Sequence, residues 1–432
     1  MLIQPILVLL VQTAFSSTSP TSDIATRKSD SNVAQEPWSS KYGSQDDLEY
    51  TGPLSFMHME YERCLDSNPL NIDTRFDIAV FGMPFDTKTS FRPGARFGPF
   101  AIRVGSRRLS DYAYDFNYGA SPRGLGAKIL DCGDVPVSPF DPAKALDQME
   151  TAYTTLLQRS VRNGTGVNSD YKDRTGGLAK DGHSHPRIVT LGGDHTIVLP
   201  ILRSLNKVYG PVSVGNILNR PSGLADTSVN IGNFLGYRSK LTSNANSIFL
   251  VYSDTWDPSL FGDTPEEEIT HGTFFAIAAR EGLMTNTSVH AGIRTRLFGP
   301  QDFTYDNETV GFQVISAEDL DDYGMPRILD YIRKRVGESP VYLSVDIDVI
   351  DPSMAPGTGT PEVGGWTTRE VKRLIRGLAG LNIVGADVVE VSPSYDHADI
   401  TGIAAADIVY DILNMMQMDE PPALRNGPLA SV

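Results

Sequence analysis

After about residue 50, short apolar stretches with the pattern of strands alternate with longer stretches with the pattern of helices. Parallel strands need a crossover between successive members of a sheet, and a helix usually supplies it. A strand that is buried on both faces carries a continuous apolar run, and most of the strand-like stretches have one. The alternation therefore predicts an α/β fold with one central parallel sheet that is covered by helices on both faces.

The ends of the predicted strands indicate where a functional site belongs, because ligands of such sheets bind beyond the carboxyl ends of the strands. The predicted strands are residues 76–82, 128–133, 187–191, 211–214, 341–345 and 383–391. The predicted helices are residues 98–109, 142–162, 196–208, 269–282, 317–336, 367–378 and 399–416.

Composition excludes several classes of partner. The 432 residues include 37 basic and 53 acidic side chains, for a formal net charge of −16. Because phosphate binding needs a basic surface, no nucleic-acid partner is expected, whereas a cationic ligand would suit this charge. No apolar stretch is long enough to span a bilayer, so no membrane partner is expected either. Cys64 and Cys132 are too few for a disulfide scaffold, and whether they form one bridge stays open.

The first residues predict entry into the secretory pathway. An apolar run at residues 2–11 precedes small residues, so residues 1–17 have the pattern of a signal peptide, with a disordered apolar tail as the alternative. Sequons for N-glycosylation at Asn163, Asn286 and Asn307 agree with secretion. We therefore expect a secreted glycoprotein.

The rest of the chain divides by composition. Residues 18–49 are rich in Ser, Thr, Asp and Asn and predict a flexible leader. Residues 50–420 predict a single domain, with an atypical Asn-, Ser- and Gly-rich insert at residues 215–247. Residues 421–432 form a C-terminal tail.

A Gly-Gly-Asp-His sequence follows the predicted strand at residues 187–191. Gly192 and Gly193 allow a sharp turn and a close approach of the backbone. The turn presents Asp194 and His195 at the end of the strand. The alternative is a helix cap at Asp194 beside an incidental histidine.

Two carboxylates follow the predicted strand at residues 341–345. Alternate residues of a strand face the same side, so we expect Asp346 and Asp348 to point together. Two carboxylates within an apolar stretch repel each other unless a cation lies between them, which predicts a metal site. The alternative is an exposed acidic strand. The Gly- and Pro-punctuated loop at residues 356–362 is expected to line the site.

Two further residues have a chemical and a structural interpretation. Glu390 lies near the end of a predicted buried strand, where it could bind a guanidinium ligand or form an internal ion pair with an arginine. His271 lies near the start of a predicted helix, where it could shuttle protons or belong to a capped turn.

In combination, these sequences resemble the ureohydrolase family of arginases and agmatinases, from about residue 76 to residue 414. The resemblance rests on Arg92-Pro-Gly-Ala-Arg96, Gly192-Gly-Asp-His-Thr196, His271-Gly-Thr-Phe274 and Val345-Asp-Ile-Asp-Val-Ile-Asp-Pro352. The first and third of these look more like agmatinases than arginases. The resemblance implies a three-layer α/β/α fold, a homo-oligomer, and two Mn²⁺ ions per chain bridged by hydroxide.

The resemblance also implies roles for individual residues. His195, Asp346 and Asp348 match metal ligands of the family. His271 matches the histidine that transfers a proton, and Glu390 matches the carboxylate that holds the guanidinium. The implied reaction is attack of hydroxide on the guanidinium carbon, followed by protonation of the leaving amine.

One family element is altered in this chain. The family continues from a strand such as residues 211–214 into an Asp-x-His-x-Asp motif, which supplies three metal ligands. Here an Asp-Thr-Trp-Asp-Pro run after the insert aligns with this motif and makes Asp254 a predicted metal ligand. The same alignment puts Leu250 and Tyr252 on the other two ligand positions.

Three explanations of the insert stay open. It could be translated non-coding sequence, it could belong to a variant with lost or weakened activity, or it could bring its own ligands, such as Asp226, to the site.

Two function hypotheses result. The first is a manganese-dependent amidinohydrolase that releases urea from a small cationic guanidino substrate, with agmatine, which gives putrescine, as the first choice. The second is a catalytically impaired ureohydrolase-like protein that binds a ligand or partner. Metal content distinguishes them, because the reaction of the first hypothesis needs both ions.

Overall fold

The structure is a computed structural model that describes residues 54–65, 75–162, 179–180, 184–217, 258, 261–296 and 301–422. It confirms the predicted α/β fold: eight parallel strands form one sheet in the order β2-β1-β3-β8-β7-β4-β5-β6. The strands are β1 Ile78–Gly82, β2 Ile129–Asp134, β3 Arg187–Leu191, β4 Ser213–Ile217, β5 Ser288–Ile293, β6 Phe312–Ser316, β7 Val341–Asp346 and β8 Ile383–Val389.

Helices connect the strands. They are α1 Gly98–Gly105, α2 Pro142–Leu157, α3 Val198–Tyr209, α4 Pro265–Glu268, α5 Phe274–Arg280, α6 Gln301–Thr304, α7 Asp319–Tyr323, α8 Met325–Val336, α9 Thr368–Gly377 and α10 Ile400–Met415. A π-helical turn, Tyr305–Val310, follows α6. No helix in the described part of the chain combines the length and the apolar character needed to cross a bilayer.

Alternate residues of the strands supply two separate apolar cores. Ile78 and Val80 of β1 pack into a core that includes residues of α8, α9 and α10. Ala79 and Phe81 pack into a second core with residues of α2, α3 and α5. Because successive side chains of a strand point to opposite faces, the sheet lies between two helical layers.

Several elements differ from the predicted ones. The predicted helix at 317–336 is two helices, α7 and α8, because Gly324 lies between them with a φ of 75° that helical residues do not adopt. Helix α5 begins at Phe274 rather than at residue 269, because residues 270–273 form a turn. Strand β4 continues to Ile217, so the first residues of the predicted insert belong to the sheet.

Cys64 and Cys132 form a disulfide with their Cα atoms 5.2 Å apart. The bond joins the segment before β1 to β2, beside which Tyr61 forms an isolated bridge with Asp131. The pairing that the sequence left open is therefore present in the structure.

Strands β3, β8 and β7 are consecutive neighbours, so their carboxyl ends lie side by side at the middle of the sheet. The polar clusters singled out in the sequence follow these three strands. The fold thus brings His195, Asp346 and Glu390 to one edge of the sheet, although they are far apart in the chain.

Candidate active site

His195 and Asp346 form the centre of the site. The imidazole follows β3, the carboxylate ends β7, and both side chains are fully buried. The His195 Nδ1 atom lies 3.2 Å from the Asp346 Oδ2 atom. The ring of Phe274 packs beside the imidazole with 4.8 Å between ring centroids and keeps this side of the pair apolar.

A chain of hydrogen bonds orients the His195 ring. The Ser344 hydroxyl donates to Asp387 Oδ1 over 2.8 Å, so its oxygen is available to accept from His195 Nε2 at 2.9 Å. Tyr342 donates to the other oxygen of Asp387. Burial raises the pKa of Asp387 to about 6, so this carboxylate is ionised and an acceptor at neutral pH. His195 Nε2 therefore carries the proton, and Nδ1 presents its lone pair to Asp346.

Asp348 is brought to Asp346 by a turn and not by the predicted strand. Strand β7 ends at Asp346, and Ile347–Val349 is one 3-10 turn. The turn begins because the Asp346 side chain accepts the Asp348 N–H at 3.0 Å, so the expectation that strand alternation aligns the two carboxylates is wrong. Both carboxylates are nevertheless buried, and Thr360 donates to Asp348 Oδ2 over 3.2 Å.

Glu390 connects the carboxyl ends of the neighbouring strands β8 and β3. It follows β8 with a φ of 62°, a left-handed conformation that a non-glycine residue adopts only when its surroundings enforce it. Its N–H donates to the Gly193 carbonyl over 2.9 Å. Its Oε1 atom accepts the His195 N–H at 3.1 Å and contacts His271 Nδ1 at 2.9 Å.

His271 is buried in a turn, and its two ring nitrogens have different partners. The Ser90 N–H donates to Nε2 over 3.0 Å, and the Ser90 hydroxyl lies against the same nitrogen. Because Nε2 accepts, Nδ1 carries the proton and donates it to Glu390. The sequence placed these two residues in one site, and the structure brings them into direct contact.

Asp194 caps the turn that carries His195. Its Oδ1 atom accepts the Thr196 N–H at 3.0 Å, and its Oδ2 atom accepts the Lys88 N–H at 3.2 Å. Burial, and then the neighbouring Glu390, raise the pKa of Asp194 to about 8. Asp194 therefore has the contacts of a helix cap, as the alternative interpretation predicts. By fixing this turn it holds His195 in place.

The loop at residues 356–362 lies beside Glu390, as the sequence predicts. Thr358 forms an isolated bridge with Val391, directly after Glu390. A Cβ atom on Gly359 would lie 2.8 Å from the Arg92 carbonyl and 3.5 Å from Glu390 Oε2. Glycine at this position therefore lets the loop pack against the Arg92 carbonyl, close to Glu390 Oε2.

The separation of His195 Nδ1 and Asp346 Oδ2 fits two neighbouring ligand atoms of one divalent metal ion. Two ligand atoms at right angles around an ion with bonds of about 2.1 Å lie roughly 3 Å apart, close to the 3.2 Å between His195 Nδ1 and Asp346 Oδ2. A lone pair facing a carboxylate also requires a cation or a proton between them. Within the described ranges, no three His, Cys, Asp or Glu side chains form a metal-binding group. The predicted ligand Asp254, with Leu250 and Tyr252, lies outside the described residues.

The sequence did not predict four residues that orient the site: Ser90, Arg294, Ser344 and Asp387. Asp387 carried a usable signal, because a carboxylate within the apolar run of residues 383–389 must find buried donors. The others are ordinary polar residues whose partners come from distant parts of the chain.

Comparison with known protein families supports one assignment. The model described as the arginase family matches residues 76–217 and 241–414. The residues between the two matches, 218–240, lie within the predicted insert, and the first match ends where β4 ends.

Individual proteins agree. The chain is 44% identical over 378 residues to the Schizosaccharomyces pombe protein named "Putative agmatinase 1", covering 86% of this chain and 84% of that protein. It is 33% identical over 347 residues to a guanidinobutyrase of Pseudomonas aeruginosa, covering 80% and 88%. Its structure is similar to that of proclavaminate amidino hydrolase from Streptomyces clavuligerus, with a TM-score of 0.66, 30% identity, and coverage of 87% of this chain and 100% of that one.

Proposed function

The chain belongs to the arginase family, and on that premise we propose that it is a manganese-dependent agmatinase that hydrolyses agmatine to putrescine and urea. The observation that carries this proposal is the buried arrangement at the carboxyl ends of β3, β7 and β8. There His195 Nδ1 lies 3.2 Å from Asp346 Oδ2, next to the contacting pair Glu390 and His271. The net charge of −16 suits a cationic substrate.

Among the described residues, His195 through Nδ1 and Asp346 would share one metal ion, and Asp348 would be a ligand of the second ion that the family resemblance implies. Manganese is the ion that the family resemblance implies, and carboxylate oxygens are ligands that it prefers. When bound, such an ion activates water as a nucleophile at neutral pH. The other ligand positions that the resemblance implies follow β4 in the chain and lie outside the described residues.

Glu390 is proposed to orient the guanidinium of the substrate. Its Oε1 atom accepts the His195 N–H and contacts His271, and its Oε2 atom lies beside the loop at Gly359. A carboxylate oxygen in a buried site binds a guanidinium strongly, because the charged hydrogen bond is little screened. Glu390 would thus present the guanidinium carbon toward His195 and Asp346.

His271 is proposed to deliver the proton that the leaving amine needs. Its Nδ1–H is held by Glu390, as in other carboxylate–imidazole pairs, so Nε2 is the atom that would gain and lose a proton once the bond from the Ser90 N–H opens. The Ser90 hydroxyl lies against Nε2 and provides a path for that proton.

Urea release tests the proposal. We expect purified protein with added Mn²⁺ to release urea and putrescine from agmatine in equal amounts, and Glu390→Gln to lose most of this activity. Glu338→Gln, an exposed change of the same type away from the site, is the matched control. If 4-guanidinobutyrate is hydrolysed in preference to agmatine, the substrate assignment is wrong and the family activity stands.

A second candidate is a ureohydrolase-like protein that binds a guanidino ligand without hydrolysis. The alignment of Leu250 and Tyr252 with two ligand positions favours it. Agmatine binding by calorimetry without urea release, at any Mn²⁺ concentration, would support this candidate over the first.

We also propose that the protein passes through the secretory pathway. The Cys64–Cys132 disulfide supports an oxidising compartment, and Asn286 and Asn307 are both exposed. Asn286 precedes β5 and Asn307 precedes β6, so glycans there would lie at the amino edge of the sheet, opposite the candidate site. Expression of the full chain in a eukaryotic host should give secreted protein that loses mass on glycosidase treatment. An unglycosylated protein retained in the cytosol would contradict the proposal.

Self-association is a further proposal. Four exposed apolar side chains, Phe97, Phe100, Ile400 and Ile403, lie at the paired helices α1 and α10, where a second copy could cover them. Light scattering coupled to gel filtration should give at least twice the mass of one protomer, which is 47.1 kDa for the full chain before any processing, and the mass of a single protomer would contradict this proposal.

A further inference from the structure

Arg294 follows β5 and joins two separate backbone segments. Its Nη2 atom donates to the carbonyl of Asp348 over 2.8 Å and to that of Glu362 over 2.6 Å. Its Nη1 atom donates to Val349 over 3.2 Å, and its Nε atom to Val363 over 3.1 Å. One guanidinium therefore binds consecutive carbonyls of the turn that carries Asp348 and consecutive carbonyls of the loop that faces it.

The same loop reaches Asp348 a second time. Thr360, two residues before Glu362, donates to the Asp348 side chain. The loop is fitted closely around the guanidinium, since a Cβ atom on Gly365 would lie 2.7 Å from Arg294 Nη2. The position of Asp348 thus depends on a loop whose own position depends on Arg294.

The contacts use the shape of the guanidinium. Its planar fork supplies five N–H donors in fixed directions, which a lysine ammonium on a single nitrogen cannot reproduce across two segments. Its positive charge also lies near the carboxylates of Asp346 and Asp348. The shape of the Arg294 side chain and its charge can therefore contribute separately to the position of Asp348, and different substitutions test them.

We propose that Arg294 is a positioning residue that holds Asp348 in place for metal binding by clamping the Asp348–Val349 turn to the Glu362–Val363 segment. This inference rests on the proposed function for its metal. It adds to that function a residue that touches neither ion nor substrate and acts through Asp348.

Mn²⁺ affinity and hydrogen exchange test the clamp. In the full-length protein, Arg294→Lys and Arg294→Met should both weaken Mn²⁺ binding, measured by equilibrium dialysis, by about 10- to 100-fold. Arg335→Met is the matched control, because Arg335 likewise binds several backbone carbonyls, those of Asn286, Ser288 and Gly311, at the opposite edge of the sheet. It should leave Mn²⁺ affinity unchanged. Amide exchange should rise at residues 347–351 and 358–365 in both Arg294 variants and stay unchanged in Arg335→Met.

The outcomes separate the clamp from simpler explanations. Wild-type Mn²⁺ affinity in Arg294→Met would overturn the inference, and full affinity in Arg294→Lys would show that charge, not the fork, matters. An equal loss in Arg335→Met would indicate general destabilisation and also overturn it. If wild-type protein binds no Mn²⁺, the proposed function fails, and unchanged exchange in Arg294→Met would then overturn the clamp independently.

Discussion

A single hydroxyl, that of Ser344, decides which nitrogen of His195 faces Asp346. The hydroxyl donates to Asp387 and accepts from His195 Nε2, so the ring is held in one tautomer. Partners of this kind are as important to a metal site as its ligands, because they set both the direction and the basicity of the imidazole.

Ser344→Ala should therefore weaken Mn²⁺ binding by about 10- to 100-fold with the fold retained. The change removes the acceptor of His195 and one donor of Asp387. Ser204→Ala is the control, since Ser204 is also buried and hydrogen-bonded but lies in α3, away from the site. Equilibrium dialysis measures the Mn²⁺ affinity of both variants. Wild-type affinity in Ser344→Ala would mean that Ser344 does not orient His195.

His271→Asn should lower kcat by about 100- to 10,000-fold and leave Mn²⁺ content unchanged. An asparagine amide can replace the Nδ1–H donor to Glu390 but cannot exchange a proton near neutral pH. His185→Asn is the control for the substitution, because His185 is half-buried and its Nδ1 atom contacts the Leu157 carbonyl instead of a site residue. Retention of wild-type kcat would remove His271 from the reaction.

At the scale of elements, helices α9 and α10 meet at a buried carboxylate. Asp411 is fully buried and contacts Arg376 at 3.2 Å and Lys372 at 3.9 Å. Burial raises its pKa to about 7, against the opposing effect of Lys372 and Arg376 and with a smaller contribution from Asp407 and Asp115. The folded state therefore binds a proton more tightly at Asp411 than the unfolded chain does.

This difference predicts a pH dependence. The stability that Asp411 contributes is fully present below its unfolded pKa of about 4 and is lost as pH rises through its folded pKa near 7. Asp411→Asn should flatten the fall in urea midpoint between pH 4.5 and pH 8. Asp330→Asn, at an exposed residue paired with Lys334, should leave it unchanged. If the urea midpoints of Asp411→Asn and wild type fall in parallel as pH rises, the pKa of Asp411 is not raised in the folded state.

Strands with mostly apolar residues and a clear end signal are predictable from the sequence. Strands interrupted by polar residues, whose identity depends on neighbours in the sheet, are not. Strand β3 has the predicted bounds because its apolar residues Ile188, Val189 and Leu191 are followed at once by the glycines that end it. Strands β5 and β6 were not predicted, because His290 and Gln313 interrupt their apolar runs and their identity as strands depends on neighbours in the sheet.

The candidate site divides in the same way. Residue types and chain order predict which side chains meet at the edge of the sheet. They do not predict the turn at Asp348 or the left-handed backbone of Glu390, because each needs a partner from elsewhere: the Asp346 side chain for the turn and the Gly193 carbonyl for Glu390.

At the scale of the whole molecule, the disulfide constrains the chain ahead of the sheet. Cys64 and Cys132 are separated by 68 residues, so their bond restricts a long loop of the unfolded chain. In the chain-entropy estimate, a loop of this length corresponds to about 4 kcal/mol. We expect Cys64→Ser to lower the thermal midpoint, and Cys64→Ser with Cys132→Ser to lower it no further.

Thermal unfolding with and without reductant measures this contribution. Reduction should lower the midpoint of the wild type and leave the double variant unchanged. A wild-type midpoint that does not respond to complete reduction would show that the bond does not stabilise the fold.

The proposed activity requires this chain, with its unmatched residues 218–240, to bind metal at His195 and Asp346. The most direct measurement is Mn²⁺ bound per chain at equilibrium, with urea release from agmatine followed in the same sample and Asp346→Asn in parallel. We predict Mn²⁺ binding that accompanies urea release, and loss of both in Asp346→Asn. No Mn²⁺ binding by the wild type, or binding that Asp346→Asn leaves intact, would contradict the account.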